Sequence, residues 1–285
     1  MHTSPRGLVS LVKKVLRRQK LEVIQLSTYA QQVATINGHK AALEVFSSPS
    51  YQACANQDPE LNHFLEFYRL HWPGSSSQWS QDVFVLWVSN LLKGGTFLEI
   101  GGADGFTHSN TFSLERHHGW QGLLLEPDPE QFQILRQSRP RSVCRNTCIS
   151  PEGLSDKRYR LRQLDQLSAI HGYEGSDMHS EARLQSRSFV NVTSESLNTV
   201  LAATAYDYFS LDVEGAELPI IQTLDWANIN KPSVLTVEHN FREDDRAVML
   251  EILAAQGYRT YFDRYPWLTR GDLWAALPPR TEVSS

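Results

Sequence analysis

The stretch Glu99-Ile-Gly-Gly-Ala-Asp-Gly105 carries the strongest indication of the fold. It directly follows an apolar run, Thr96-Phe97-Leu98, and a second apolar run at residues 122–125 ends in Glu126. Glycines behind a strand let the backbone turn sharply and approach a ligand closely. An acid at the end of the next strand can accept hydrogen bonds from both hydroxyls of a ribose. The pairing therefore predicts a Rossmann-like sheet that binds a nucleoside-bearing cofactor.

The spacing of the glycines distinguishes between cofactors. A dinucleotide site reads G-x-G-x-x-G, whereas this loop reads acid-x-Gly-x-x-x-Gly, with Glu99 at its start and Asp104 inside it. Two carboxylates would repel a pyrophosphate but suit a cationic ligand. S-adenosylmethionine, with its sulfonium and ammonium groups, is such a ligand. A tight turn without a ligand is the alternative interpretation of these glycines when they are taken alone.

The composition is that of an ordinary globular protein. The chain has 285 residues, 41% of them hydrophobic and 21% charged, which allows one α/β domain plus an extension. The net charge of −5 gives no reason to expect nucleic-acid binding. Three cysteines without a secretory signal predict a cytoplasmic location. No run approaches the roughly 18 apolar residues of a membrane span.

Residues 1–20 hold six basic side chains and no acid, with leucines and valines at helical spacing. This pattern predicts a basic amphipathic helix. We expect a terminal helix packed on its own domain; the alternative is peripheral contact with anionic lipid at the inner face of the membrane, or with a partner. The sequence leaves the oligomeric state open, a homo-oligomer included.

Strands and helices alternate after residue 95, which is typical of a parallel sheet covered on both faces. We predict a helical N-terminal extension over residues 1–75 and one α/β domain over 76–285. The expected sheet has seven strands and ends in a β-hairpin; its strands are 96–100, 122–126, 142–149, 206–213, 233–238, 257–262 and 272–277. Residues 154–190 are polar, with little periodicity, and we interpret them as an insertion that covers the substrate.

Acidic residues gather where the predicted strands end. Strand four ends in Asp212-Val-Glu214, and strand five ends in Glu238-His239-Asn240. Carboxyl ends of parallel strands meet at one edge, and crowded carboxylates bind a cation or share protons. Asp212, His239 and Glu214 are the candidate catalytic residues for methyl transfer to a hydroxyl. Asp212, Glu238 and His239 could hold Mg²⁺; in the metal-free alternative His239 or His108 acts as the base.

The sequence resembles the FkbM family of S-adenosylmethionine-dependent methyltransferases over about residues 77–262. The matching pieces, in order, are Ser77-Gln78-x-x-Gln81-Asp82, Phe97 to Gly105, Ser109-Asn-Thr111, Leu114-Glu115, Gly119-Trp-Gln-Gly122, Leu125-Glu-Pro127, Leu211 to Glu217 and Val237-Glu-His-Asn240. The resemblance implies the class I methyltransferase fold and methyl transfer, usually to oxygen on a sugar or a natural product. Catechol-type O-methyltransferases carry an acid and then an acid-amide pair as Mg²⁺ ligands, and here His239 replaces the amide.

The resemblance also implies which residues bind the cofactor. Gly101 to Gly105 would line it, Glu126 would hold its ribose, and Asp212 would lie beside the sulfonium and the acceptor. The full set of candidate cofactor-binding residues is Gln78, Glu99, Gly101, Gly102, Ala103, Asp104, Gly105, Ser109, Asn110, Glu126, Pro127 and Asp212.

Together these features predict an O-methyltransferase that acts on a hydroxyl of a saccharide or related metabolite. An NAD-linked oxidoreductase is a weaker alternative, because G-x-G-x-x-G is absent. A catalytically silent adenosyl-binding scaffold is the alternative from another class. It has no need to keep a carboxylate at every expected strand end.

Overall fold

The computed structural model describes residues 49–174 and 180–279, with side chains from Ala53 onward. The basic helix expected within residues 1–20 lies outside the described residues. Contacts divide the chain into two compact units, Met1–Gln52 and Ala53–Ser285. The fold below is that of the second unit, which includes residues 53–75 of the segment expected as an extension.

The strands form two sheets. In chain order the described strands are β1 Thr96–Ile100, β2 Gln121–Leu125, β3 Val143–Arg145, β4 Cys148–Ile149, β5 Arg158–Arg162, β6 Ala169–Ile170, β7 Phe189–Glu195, β8 Tyr208–Leu211, β9 Val234–Glu238, β10 Arg259–Tyr261 and β11 Asp272–Ala276. The main sheet has the order β10-β11-β9-β8-β1-β2-β3, and only β11 runs against the others. This confirms the predicted seven-stranded, mostly parallel sheet, whose last two strands pair as a hairpin.

The helices begin and end at residues with clear physical roles. They are α1 Pro49–Gln57, α2 Pro59–His71, α3 Gln81–Val88, α4 Phe112–His118, α5 Pro129–Ser138, α6 Ser180–Gln185, α7 Leu197–Ala203, α8 Glu217–Gln222, α9 Glu243–Ala255 and α10 Pro266–Thr269. The Asp58 and Asp128 carboxylates cap α2 and α5, each followed by proline at the first helical position. Gly119 ends α4 in the left-handed conformation.

The core lies between the main sheet and its helices. Leu98, Phe209 and Leu235, on three neighbouring strands, are each at most 1% exposed. A second apolar cluster joins the N-terminal helices to the hairpin, where the ring of Phe84 on α3 stacks on that of Trp274 at 5.0 Å. Among the described residues, no helix is long and apolar enough to cross a membrane.

The segment between the third and fourth main strands differs from the prediction. The expected strand 142–149 is two short strands, and only β3 belongs to the main sheet. The segment expected to be polar and aperiodic contains most of a second sheet, with the order β4-β7-β5-β6. Its strand β5 alternates exposed and buried side chains over Arg158 to Leu161. The arginines make this strand look polar by composition, and this hides its alternation of exposed and buried side chains.

Candidate active site

A cleft of about 410 Å³ opens at the carboxyl ends of β1, β2, β8 and β9. Ligands bind at this edge in open α/β sheets. Most of the predicted site residues meet in its lining, namely Gln78, Glu99, Gly101, Ala103, Ser109, Asn110, Glu126, Pro127, Asp212, Glu214 and Glu238.

The glycine loop after β1 lies against the end of β8. Gly101 has φ +87°, and a Cβ atom there would lie 1.8 Å from the carbonyl oxygen of Asp212. Glycine is therefore required, and the backbone of the loop touches that of Asp212, a candidate catalytic residue.

Three predicted loop residues lie outside the cleft lining. A Cβ atom at Gly102 would meet Leu124, and one at Gly105 would lie 2.5 Å from Ser138 Oγ on α5. The Asp104 carboxylate accepts from the backbone N–H of Thr107 at 2.8 Å and from its hydroxyl at 2.6 Å. These residues shape the turn.

Glu126 is buried at the end of β2 and lines the cleft. One carboxylate oxygen accepts from the N–H of Ala103 and the other from the N–H of Asp128, both at 2.7 Å. Burial raises the pKa of this carboxyl to about 8. Because each oxygen can accept a second hydrogen bond, the residue fits the predicted contact with a ribose diol.

Glu99 has a structural partner that the sequence did not indicate. Its carboxylate forms an ion pair with the fully buried Arg139 at 3.6 Å, and Arg139 Nε donates to Glu115 at 2.7 Å. Glu99 also accepts from the N–H of Asn110 at 2.9 Å. These bonds hold residues 109–111 in the loop before α4, which begins at Phe112.

The segment Ser77–Asp82 contributes another part of the cleft lining, through Gln78 and Trp79. Asp82 is fully buried and accepts from the hydroxyls of Ser75 and Ser77 at 2.6 and 2.7 Å. Ser77 pairs as a β-bridge with His108. Through this bridge Gln78 and His108 both line the cleft.

The acidic group at the ends of β8 and β9 contains Glu217 in place of the predicted His239. Oxygens of Asp212, Glu217 and Glu238 lie within 4.8 Å of one another. Glu217 accepts from the N–H groups of Val213 and Gly215 at 2.8 and 3.0 Å, so it fixes the loop. Burial raises the pKa of Glu238 well above its ordinary value, and the carboxylates of Asp212 and Glu214 raise it further.

The structure separates His239 from the other candidate catalytic residues. Its side chain is buried and does not belong to the cleft lining. Burial and the neighbouring Arg246 lower its pKa to about 4. A neutral imidazole outside the cleft is poorly placed as a base or as a metal ligand; His108 is the histidine that lines the cleft.

Part of the remaining lining comes from residues 154–190, the segment that we interpreted as covering the substrate. The second sheet contributes Cys148, Ile149, Leu161 and Ile170, together with residues 165–168. Trp79, Phe241 and Arg270 stand on the rim, with the Arg270 guanidinium 5.0 Å from the centre of the Trp79 ring. The alternation of side chains in β5 and in β7 is the signal in the sequence for the second sheet.

The strand order and the position of the cleft define a Rossmann-like class I methyltransferase fold. Residues 99–260, more than half of the chain, match the family described as the Methyltransferase FkbM domain. The chain belongs to this family of S-adenosylmethionine-dependent methyltransferases. The cleft fits that cofactor through Glu126 for the ribose and an acidic lining for its cationic groups.

Solved structures of other methyltransferases resemble the chain only distantly. FkbM from Methylobacillus flagellatus is 14% identical with a TM-score of 0.42, and the alignment covers 87% of this chain and 60% of that one. A TehB-like S-adenosylmethionine-dependent methyltransferase from Corynebacterium glutamicum is 10% identical with a TM-score of 0.36, over 75% and 95% of the two chains. Aeropyrum pernix fibrillarin with bound S-adenosylmethionine is 10% identical with a TM-score of 0.37, over 70% and 76%. A search of curated proteins found no match.

Proposed function

We propose that the protein transfers a methyl group to a hydroxyl oxygen of a saccharide or a related natural product. The observation that carries this proposal is the set of carboxylates Asp212, Glu214 and Glu238, which line the cleft at the ends of β8 and β9. Hydroxyl groups donate to carboxylates, so this wall suits a polyol. It disfavours a polyanion such as nucleic acid, whose phosphates it would repel.

The rim supports a saccharide acceptor. Trp79 and Phe241 both line the cleft, and Phe241 is 53% exposed. Aromatic side chains combine a large apolar face with a geometry that suits flat partners. The C–H face of a sugar ring could pack on these rings while its hydroxyls reach the carboxylates.

Each residue of the acidic wall then has a distinct task. S-adenosylmethionine supplies an electrophilic methyl group when it is bound. Asp212 orients the acceptor hydroxyl and accepts its proton, with His108 as the second proton acceptor within the described lining. Glu238 lies beside Asp212 in the same wall and orients a second hydroxyl of the acceptor by a hydrogen bond.

Mg²⁺ assistance is a further part of the proposal. Asp212 and Glu238 offer the hard oxygen ligands that Mg²⁺ prefers, whereas the oxygens of Glu217 already accept backbone N–H groups. A cation there would lower the pKa of the acceptor hydroxyl.

The test is methyl transfer from labelled S-adenosylmethionine to a panel of neutral glycosides, with and without EDTA. We expect wild type to label a glycoside and Asp212→Asn to lower turnover by about 100-fold or more. Asp225→Asn removes an exposed aspartate outside the cleft and should leave turnover unchanged. Activity that persists in EDTA would remove Mg²⁺ from the proposal.

Two outcomes would overturn the proposal itself. Labelling of protein or nucleic acid but of no glycoside would give the enzyme a different acceptor. Binding of S-adenosylhomocysteine without any transfer would favour the silent scaffold. Normal turnover in Asp212→Asn would remove Asp212 from its assigned role.

A further inference from the structure

A fully buried arginine reaches the acidic wall from the polar segment between β6 and β7. Arg183 lies on α6, its side chain is 0% exposed, and its Nη1 donates to Glu214 Oε2 at 2.7 Å. Glu214 follows β8 of the main sheet, lines the cleft and is 12% exposed. The ion pair therefore joins the insertion to the acidic wall.

A guanidinium in this position is costly to bury unless it is paired. Removing one partner of such a pair leaves an uncompensated charge inside the protein. The ion pair with Glu214 compensates the charge of the buried Arg183. Conversely, the guanidinium fixes the direction of the Glu214 carboxylate.

The backbone beneath Glu214 is fixed separately. Glu214 itself has φ +60°, a left-handed conformation uncommon for glutamate. The Glu217 carboxylate accepts from Val213 and Gly215 on either side of it. Glu217 therefore holds the loop, whereas Arg183 holds the Glu214 side chain that the loop presents.

We propose that Arg183 is a positioning residue for methyl transfer. By orienting Glu214, Arg183 links the acceptor side of the cleft to the insertion, whereas the residues predicted to hold the cofactor follow β1 and β2. This inference rests on the proposed function, because it concerns the acceptor wall of the same cleft.

The test compares Arg183→Gln and Arg183→Lys with Arg158→Gln, an exposed arginine of the same insertion. We expect Arg183→Gln to lower kcat/KM for the glycoside acceptor by about 10- to 100-fold. Its calorimetric affinity for S-adenosylhomocysteine should stay at the wild-type value. Arg183→Lys should recover part of the loss, and Arg158→Gln should behave as wild type.

A double-mutant cycle identifies the partner. If Arg183 acts through Glu214, Arg183→Gln adds little to the loss in Glu214→Gln. Full additivity would overturn the inference, as would parallel losses of acceptor turnover, cofactor affinity and melting temperature. So would unchanged acceptor kinetics in Arg183→Gln.

A crystal structure of the Arg183→Gln variant separates this inference from the proposed function. Even if wild type methylates no glycoside, the variant should show the Glu214 carboxylate turned away from its wild-type direction, with residues 96–103 unchanged. A Glu214 side chain that keeps its wild-type direction would then overturn the positioning role.

Discussion

Gly101 is constrained both by its positive φ and by its close contact with the backbone of Asp212, and the two effects can be measured separately. Its φ is +87°, and the added Cβ of an alanine would collide with the backbone oxygen of Asp212. We expect Gly101→Ala to lower the free energy of unfolding by about 2–4 kcal/mol, from strain together with overpacking. Gly257 has nearly the same φ, +88°, with no atom within 4 Å of the added Cβ. Gly257→Ala should cost about 1 kcal/mol in urea titrations; equal losses would show that the contact with Asp212 contributes nothing.

Glu126 gives cofactor binding a pH dependence. Because its pKa is raised to about 8 in the free protein, the side chain is protonated at pH 6 and ionised at pH 9. The ionised form accepts stronger hydrogen bonds from the ribose hydroxyls. We expect calorimetry to show binding of S-adenosylhomocysteine that tightens about tenfold from pH 6 to pH 9.

Two variants isolate this effect. The affinity of Glu126→Gln should follow only the titration of the ligand's own amino group. Glu130→Gln changes an exposed glutamate in the first turn of α5 and should keep the wild-type dependence of affinity on pH. A wild-type profile in Glu126→Gln would remove Glu126 from the ribose contact.

At the level of elements, Arg139 ties α5 to β1 and α4. It is fully buried, and its partners Glu99 and Glu115 are 5% and 6% exposed. Arg139→Leu leaves the buried Glu99 without its cation and leaves Glu115 with only the half-exposed Arg141, so we expect a loss of about 3–5 kcal/mol in the free energy of unfolding. Arg141 pairs with the same Glu115 but is 51% exposed. Arg141→Leu should cost at most about 1 kcal/mol, and denaturant titration that finds equal losses would contradict this account.

The elements also show how far the sequence could lead. Most strand positions followed from apolar runs, whereas the expected strand 142–149 proved to be two short strands. Glu126 and Asp212 lie directly after β2 and β8 and line the cleft, as their order in the sequence indicated; their roles remain predictions. Contacts between distant elements left no local signal: Arg139 and Arg183 look like surface arginines in the sequence. Order along the chain did not reveal that His239, one residue beyond the end of β9, is buried outside the cleft lining while Glu238 lines the cleft.

The whole cleft is built from two sheets, and this division predicts how a ligand acts on the molecule. On one side the cleft is lined by Gly101 and Pro127, which follow strands β1 and β2 of the main sheet. On the other it is lined by Leu161 and Ile170 of the second sheet. A ligand at 100 times its Kd stabilises the folded state by about 2.7 kcal/mol. If S-adenosylhomocysteine contacts both sheets, amide exchange should slow over residues 99–103 and 126–127 and also over 161–170.

Helix α9 is the internal reference for that experiment, because none of its residues lines the cleft. Amide exchange in α9 should slow only to the extent that the bound ligand suppresses global unfolding of the protein. Slower exchange confined to residues 99–103 and 126–127 would show that the cofactor leaves the second sheet untouched. Leu161 and Ile170 would then be expected to contact the acceptor and not the cofactor. Acceptor choice would thereby depend on the insertion, the part of the chain that differs most from the sequence-based prediction.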